Sequence, residues 1–283
     1  MKMASGSGLE GKRIAVIGSG AMGGGLVRAL VSSKVVKPDQ VIATDVDEQK
    51  LSLLSEETGV NVTSENAKAV SDCDIVLLAV KPQVVPNVLM EISSSLRSER
   101  HLLISIAAGI SILNIERATP PRLPVIRVMP NTPCLVGAGV CAIALGTNAT
   151  QQHRQIAHAL FSPMGITVDV NEDWMDAITA ISGSGPAYVF TFIEALSDAG
   201  VDMGLPRDIA TKIAIHTVLG AAMMALKMGK HVAELREMVT SPGGTTIAAL
   251  HSLERNGFRG IIMDAVQVAV ERAQTLSRAM GVD

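Results

Sequence analysis

From Arg13 onward, short unbroken runs of Val, Ile, Leu and Ala alternate with longer stretches whose apolar positions recur every three to four residues. An uninterrupted apolar run of four to eight residues, bounded by Gly, Pro, Asn or Asp, reads as a strand buried on both faces. "RIAVIG", "QVIATD", "CDIVLLAV", "HLLISIAAG", "PVIRVMP", "GVCAIALG" and "ITVDV" are runs of this kind. Helical spacing follows the first run in "AMGGGLVRALVSS", and a second helix runs through Glu57, with Asp47 or a neighbour placed to cap it. Further helices are expected from Val84 to Leu96 and from Gln151 to Phe161. Strands apolar on both faces, alternating with helices, predict a parallel sheet covered by helices, an α/β fold of Rossmann type.

Beyond about Asn171 the pattern changes. Strand signals stop, and helices are expected at Ala187–Met203, Arg207–Met228, Val232–Val239, Thr246–Arg255 and Phe258–Met280. The boundary predicts two domains, an α/β domain over 1–170 and an all-helical domain over 171–283. Several later helices are apolar on more than one face, "IATKIAIHTVLGAAMMALKMG" most clearly. A helix apolar most of the way round is buried, and a bundle this short cannot bury all these faces alone. A second subunit is therefore expected.

Composition sharpens that expectation. Apolar residues are 48% of the chain and charged ones 18%, below the quarter usual in soluble proteins. Six aromatic residues against fourteen Met call for an aliphatic core. A net charge of −3, with no basic block among aromatics, argues against nucleic acid as a partner. Cys73, Cys134 and Cys141 have no paired spacing, so neither a disulfide framework nor a metal site is expected. The opening "MKMASGSGLEGKR" lacks a signal peptide's apolar segment, and no run is read as reaching transmembrane length. The expectation is a cytoplasmic protein without a membrane partner.

Candidate chemistry begins at Gly18-Ser19-Gly20-Ala21-Met22-Gly23, a G-x-G-x-x-G that follows a strand and opens a helix. The first glycine permits the turn, the second lets backbone approach a pyrophosphate, and the third packs helix on strand. Asp45 follows about 20 residues later at the end of the second strand, where an acid accepts ribose hydroxyls. A carboxylate there disfavours a 2′-phosphate and so favours NADH; the alternative is that Asp45 caps the next helix. Lys81, in Ala79-Val80-Lys81-Pro82, ends a strand where ligands bind in such sheets, or is a solvated strand-end lysine. Ala107-Ala108-Gly109 offers small residues against which a flat ring can lie. Met129-Pro130-Asn131-Thr132-Pro133 is a stiff loop at the same edge, or a plain turn. "SPGGTT" (241–246) opens an apolar helix whose first amides suit a carboxylate, with Thr246 either capping the helix or offering its hydroxyl to a substrate. No G-x-S-x-G or H-E-x-x-H occurs, and His216 reads as a packed or interface histidine.

One stretch breaks its own helix. In "AITAISGSGPAYVFTFIEAL", Gly183-Ser184-Gly185-Pro186 interrupts a helical run, at about 1 kcal/mol per Gly and about 3 for Pro. A junction between two helices, with Pro186 in the first turn of the second, removes the conflict.

A first Rossmann unit, then A-V-K-P, M-P-N-T-P, I-S-G-S-G-P-A-Y and S-P-G-G-T-T in that order, closely resemble the pyrroline-5-carboxylate reductase family from about Arg13 to about Met280. The resemblance implies reduction of the C=N bond of 1-pyrroline-5-carboxylate to L-proline with NADPH or NADH. It also implies homodimers formed through the helical domain, assembling as decamers, pentamers of dimers. On this resemblance Ile17 to Met22 hold the pyrophosphate and Asn66 lies near the adenosine. Ala79 to Pro82 and Ile106 to Ala108 line the nicotinamide. Ser241, Gly243, Gly244, Thr245 and Thr246 hold the substrate ring and carboxylate, with Thr246 the catalytic candidate; Glu172 falls near the substrate. Many NADPH-preferring members carry small hydroxyl residues or an Arg where this chain has Asp45-Val46. Two rival readings remain. A 3-hydroxyacid dehydrogenase of the 6-phosphogluconate type calls for K-x-x-N, but Lys212 and Lys227 are followed by Ile-Ala-Ile and Met-Gly-Lys. A non-catalytic nucleotide-binding protein has no need of the complete "SPGGTT".

Overall fold

The structure, a computed structural model, describes residues 8–280, the side chains of 279 and 280 excepted. Residues 1–7, where most of the supposed leader-free start falls, lie outside the described residues.

The α/β part begins with β1 (Ile14–Ile17), α1 (Ala21–Ser32), β2 (Val41–Thr44), α2 (Glu48–Thr58), β3 (Asn61–Thr63) and α3 (Asn66–Asp72). It continues with β4 (Ile75–Leu78), α4 (Val85–Ile92), β5 (Leu102–Ser105), α5 (Ile112–Arg117) and β6 (Val125–Met129). Then come β7 (Gly139–Leu145), α6 (Gln151–Phe161), β8 (Gly165–Asp169) and the short α7 (Met175–Ile178). Every residue of β1, β2, β4, β5 and β6 is buried, which is why these runs show no alternation. The strands form one sheet in the order β3-β2-β1-β4-β5-β6-β7-β8. Its first six strands follow the doubly wound order for dinucleotide binding.

One pair departs from the all-parallel expectation. β6 and β7 are antiparallel, with Val128 opposite Ile143. Residues 130–138 between them are too few for the crossover that parallel strands require. β3, α3 and α5 also go beyond the elements expected above. β3 is a three-residue edge strand with an exposed Asn61, too short and polar to register as a run.

Helices cover both sheet faces. Leu26, Val27 and Leu30 of α1 and Leu160 and Phe161 of α6 pack with Ile14 and Val16. Val85, Val88 and Leu89 of α4 pack on the other face with Val76 and Leu78. Full burial of each such side chain contributes roughly 1.5–3 kcal/mol. Local signals set the helix ends. Asp47 caps α2 by accepting from the amides of Gln49 and Lys50, and α2 stops at Gly59 in the left-handed region (φ +73°).

The chain divides into two compact units, 8–183 with 269–280, and 184–268. The divide falls beyond the last strand because the segment after β8 still belongs to the sheet: Met175 and Ile178 of α7 pack into its core. The second unit contains α8 (Gly185–Asp202), α9 (Arg207–Met228), α10 (Val232–Met238), α11 (Thr245–Arg255) and the first half of α12 (Phe258–Met280). The helices α8 and α9 approach closely: a methyl on Gly200 would lie 2.9 Å from the Ala210 side chain. Ser197 and Thr211 hydroxyls share a hydrogen bond of 2.7 Å across the pair.

Few of the second unit's apolar side chains are covered. α9 buries only Ala210 and Ala214. With a mean hydropathy of 1.6 over its most apolar window, α9 is long and apolar enough to cross a membrane by length and composition alone. This corrects the sequence expectation that no run reaches that length; Lys212 and His216 hid the run by interrupting it.

Candidate active site

The carboxyl ends of four strands are flush. The amide of Gly18 donates to Thr44 O at 2.9 Å, that of Ala79 to Ile17 O at 2.8 Å, and that of Ile106 to Leu78 O at 3.0 Å. These bonds set the turn 18–23, the end of β2, the segment 79–82 and the segment 106–109 along one edge. In a doubly wound sheet this edge, where the strand order reverses between β1 and β4, is the ligand crevice.

Gly18 has φ +98°, and a methyl there would meet Ala79 O at 2.8 Å. A methyl on Gly23 would overlap Gly18 O, so the start of α1 lies this close to the end of β1 only because residue 23 is glycine. At Gly20 a methyl would meet nothing within 4 Å, so the turn is open on the side where a pyrophosphate would lie. Gly20 is also the cap position of α1, where no side chain caps and no acid occupies the first turn. Ala21, Met22 and Gly23 thus open a helix whose first amides are available to an anion. The residues present fit a dinucleotide.

Asp45 is bound to that turn. Its carboxylate accepts from Ser19 N at 2.8 Å and from Asp47 N at 3.0 Å, while the Ser19 hydroxyl donates to Thr44 O at 3.1 Å. The cap of α2 is Asp47, so the capping alternative for Asp45 is not what the structure contains. Asp47 also pairs with Lys50 at 3.0 Å; this bond lowers the carboxyl's pKa and raises that of the ammonium. Asn66 accepts from the Thr44 hydroxyl at 2.5 Å and donates to Glu91 at 2.9 Å, tying β2 to α4. Lys81 and Ala108 are exposed, and Ala107 is buried.

Two residues to which the sequence assigned no role of their own matter here. Asn131, 7% exposed, donates through Nδ2 to Ser182 O at 3.0 Å and accepts from Val140 N at 2.9 Å. Arg127, buried within β6, pairs with Glu172 at 3.0 Å, and the same Glu172 oxygen accepts from Ile112 N at 2.6 Å. Glu172 therefore holds the start of α5 and neutralises a buried guanidinium. An Arg within an otherwise apolar strand was the available signal, since a buried charge needs a partner. Asn131 stood in a motif that read as a stiff loop at the sheet edge or a plain turn. The structure also brings Cys134 and Cys141 together, Sγ to Sγ 3.6 Å, both free thiols. The hydrogen bond between the two thiols favours the Cys134 thiolate and lowers its pKa.

Gly183 closes a π-helical turn, Thr179–Gly183, and Pro186 lies in the first turn of α8. In the second unit α11 begins at Thr245, with Gly244 at the cap, no side-chain cap bond and no acid in its first turn. Thr246 is therefore inside the helix, not its cap. Gly243 turns the chain at φ +66°, and Gly244 N donates to Ser241 O at 3.1 Å. A cleft of about 360 Å³ beside this turn is lined by Thr240, Ile247, Leu250, His251, Arg236 and Glu254, among others. Another of about 340 Å³, lined by Glu48, Ser52, Ser55 and Glu56, lies between α2 and β3 away from the glycine turn. Among the described residues, no three His, Cys, Asp or Glu side chains gather as metal ligands.

A glycine turn at the sheet's switch point, an acid bound to it and an anion-ready helix start define a dinucleotide-binding protein of the Rossmann class. Residues 13–109 match the family described as NADP oxidoreductase, coenzyme F420-dependent, and residues 172–276 match pyrroline-5-carboxylate reductase dimerisation. The chain is 43% identical to a pyrroline-5-carboxylate reductase of Methanosarcina acetivorans over 95% of its own length and 100% of that protein's. It is 42% identical to one of Arabidopsis thaliana over 95% and 97%. The crystal structure of Plasmodium falciparum pyrroline carboxylate reductase with NADP bound superposes at a TM-score of 0.85 and 34% identity, covering 95% and 99%. The chain belongs to the pyrroline-5-carboxylate reductase family.

Proposed function

We propose that this protein reduces the C=N bond of 1-pyrroline-5-carboxylate to give L-proline, drawing on a reduced nicotinamide dinucleotide. The observation that carries the reading is the helix start at 244–246, whose amides no side chain caps, in a chain that also has the open glycine turn. A small substrate with one carboxylate suits that start, because aligned amides and the helix dipole favour an anion. In this reading residues 1–170 bind the dinucleotide, and residues 171–283 bind the substrate and form the dimer.

When bound, the reduced nicotinamide supplies a hydride to the imine carbon, which is electrophilic once the ring nitrogen is protonated. The chain's part is to bind and orient. Gly18, Ser19, Gly20 and the opening of α1 hold the pyrophosphate, and Asp45 and Asn66 lie on the adenosine side. Ala79 to Pro82 and Ala107 to Ala108 border the nicotinamide. Ser241, Gly243, Gly244 and Thr245 hold the substrate carboxylate, and the Thr246 hydroxyl addresses the ring nitrogen. Orientation of this kind accounts for a large part of the barrier lowering in reactions that need no strong acid. The Asp45 charge favours NADH over NADPH. The exposed apolar faces of the helical unit support a homodimer, assembled further as a decamer, and we place the enzyme in the cytoplasm.

The test is pyrroline-5-carboxylate-dependent oxidation of NADH and NADPH by wild type and Thr246→Ala. The expected result is activity in wild type and a loss of kcat/KM of about 10- to 100-fold in the variant, with NADH affinity nearly unchanged. Wild type without activity sinks the reaction; full activity in the variant removes Thr246 from it.

A further inference from the structure

Asn131 stands at the carboxyl end of β6, and both ends of its carboxamide are used. Oδ1 accepts from Val140 N at 2.9 Å and lies 3.6 Å from the Cys134 thiol, while Nδ2 donates to Ser182 O at 3.0 Å. The orientation is fixed by its partners, because a flip would set the amide group against an N–H and the carbonyl against a C=O. Ser182 belongs to the π-helical turn Thr179–Gly183. Such turns are rare, interrupt the regular helical ladder and recur at functional positions. The Ser182 hydroxyl is buried without a hydrogen-bond partner. A buried hydroxyl in that state is destabilising, so contacts outside the turn must hold it in place. The side chain that does so is Asn131. Met129, the last residue of β6, supports the same turn: a methyl on Gly183 would lie 3.3 Å from its Cε.

This seat lies at the edge where the nicotinamide end of the site is assigned. β5 and β6 are parallel with Ser105 opposite Arg127, and continuing that register sets Ala107 level with Met129. We infer that Asn131 is a positioning residue for hydride transfer: by holding the carbonyl of Ser182, it fixes the 179–183 turn at the end of β6, beside the Ala107–Ala108 segment. The inference rests on the proposed reduction. Its consequence is specific, because a loosened turn alters orientation at the reacting end and leaves the pyrophosphate turn, on the far side of β4 and β5, untouched.

Asn131→Asp retains an acceptor for Val140 N–H and replaces the donor facing Ser182 O with a second acceptor. Its kcat should fall about 10- to 100-fold with the dinucleotide KM within about twofold of wild type. The isotope effect from deuterated reduced dinucleotide should rise as the hydride step becomes limiting. A variant with wild-type kcat and only lowered thermal stability overturns the inference, as does a dinucleotide KM that rises as far as kcat falls. Gly183→Ala, whose methyl meets the flexible end of Met129, covers the case in which Asn131→Asp does not fold. It should lower kcat about threefold without a change in dinucleotide KM, and an unchanged kcat counts against the inference. If wild type oxidises neither dinucleotide with pyrroline-5-carboxylate, the proposed reaction fails by itself. Amide hydrogen exchange across 179–183 then decides the contact: faster exchange in Asn131→Asp supports it, and equal protection overturns it.

Discussion

The sheet-containing unit and the helical unit dispose of apolar sequence in opposite ways. In the first, five strands are buried at every residue, and the helices on both faces bury Leu, Ile, Val and Phe against them. In the second, α9 buries two alanines and α11 buries nothing, while Phe190, Ile213, Leu226, Ile261 and Met263 are more than half exposed. Both follow the same physics of apolar burial, so the difference is one of completeness. The sheet unit closes its core within one chain. The helical unit presents far more apolar surface than a monomer leaves in water, which agrees with its match to a dimerisation family over 172–276.

The comparison is broken most directly on α9. Leu226 is 84% exposed in the single chain, and Leu226→Glu puts a carboxylate on a helix that buries only two alanines. If a second copy covers this face, the variant buries an unpaired charge. Association should then weaken by on the order of 1000-fold, about 4 kcal/mol. Light scattering at micromolar concentration should show the wild-type oligomer reduced to smaller species. An unchanged mass would mean that this part of α9 faces water in the assembly, and the contrast between the units would lose its explanation.

The same contrast governs what the sequence makes legible. Uninterrupted runs such as "IAVI" and "IVLL" announce buried strands because both faces are covered by the chain's own helices, and the structure places them at 14–17 and 75–78. Gln151–Phe161 is a helix from its first expected residue to its last. β3 escaped because three half-polar residues carry no period, and the reversal of β7 escaped because its signal is the length of the 130–138 connection, not the apolar pattern of the runs. At the site, the glycine turn was readable because its function depends on missing side chains. Asn131, Arg127 and the Glu172 pair were not, because each acts through a partner 45 or more residues away in sequence. Pairing at that range is set by the fold.

Asp45 sharpens the comparison from the sheet side, where polar groups are fixed by the chain itself. Its carboxylate accepts from Ser19 N and Asp47 N, and the nearby Lys50 ammonium is engaged by Asp47. A 2′-phosphate would meet a fixed negative charge and a cation already paired. Asp45→Ser removes the charge and keeps one acceptor. The ratio of kcat/KM with NADPH to that with NADH should rise about tenfold, about 1.4 kcal/mol. NADH affinity itself should weaken, because the Ser19 amide loses its anchor. An unchanged ratio would leave Asp45 as a brace for the glycine turn with no part in choosing the dinucleotide.

The smallest expected effect tests whether the closed core of the sheet unit excludes charge as well as water. His101 is 2% exposed; its Nδ1 accepts from Arg97 N at 2.7 Å, and Nε2 is buried without a partner. Burial, with the Arg100 charge added, pushes its pKa below 6.5, and the nearby Val70 and Cys73 carbonyls offset this only in part. The unfolded chain therefore takes up this proton before the folded one does. The stabilisation is fully present above about pH 6.5 and is lost as pH falls through the folded value. His101→Asn keeps an acceptor for the Arg97 amide and removes the titration. Its melting temperature should start lower at neutral pH and then decline less steeply than that of wild type as the pH falls below about 6.5. His153, whose pKa burial and the Lys12 charge also lower, adds slope of the same sign in both proteins. Parallel curves for the two proteins would show that the imidazole reaches water in the folded state and that the core is less closed at His101 than its exposure indicates.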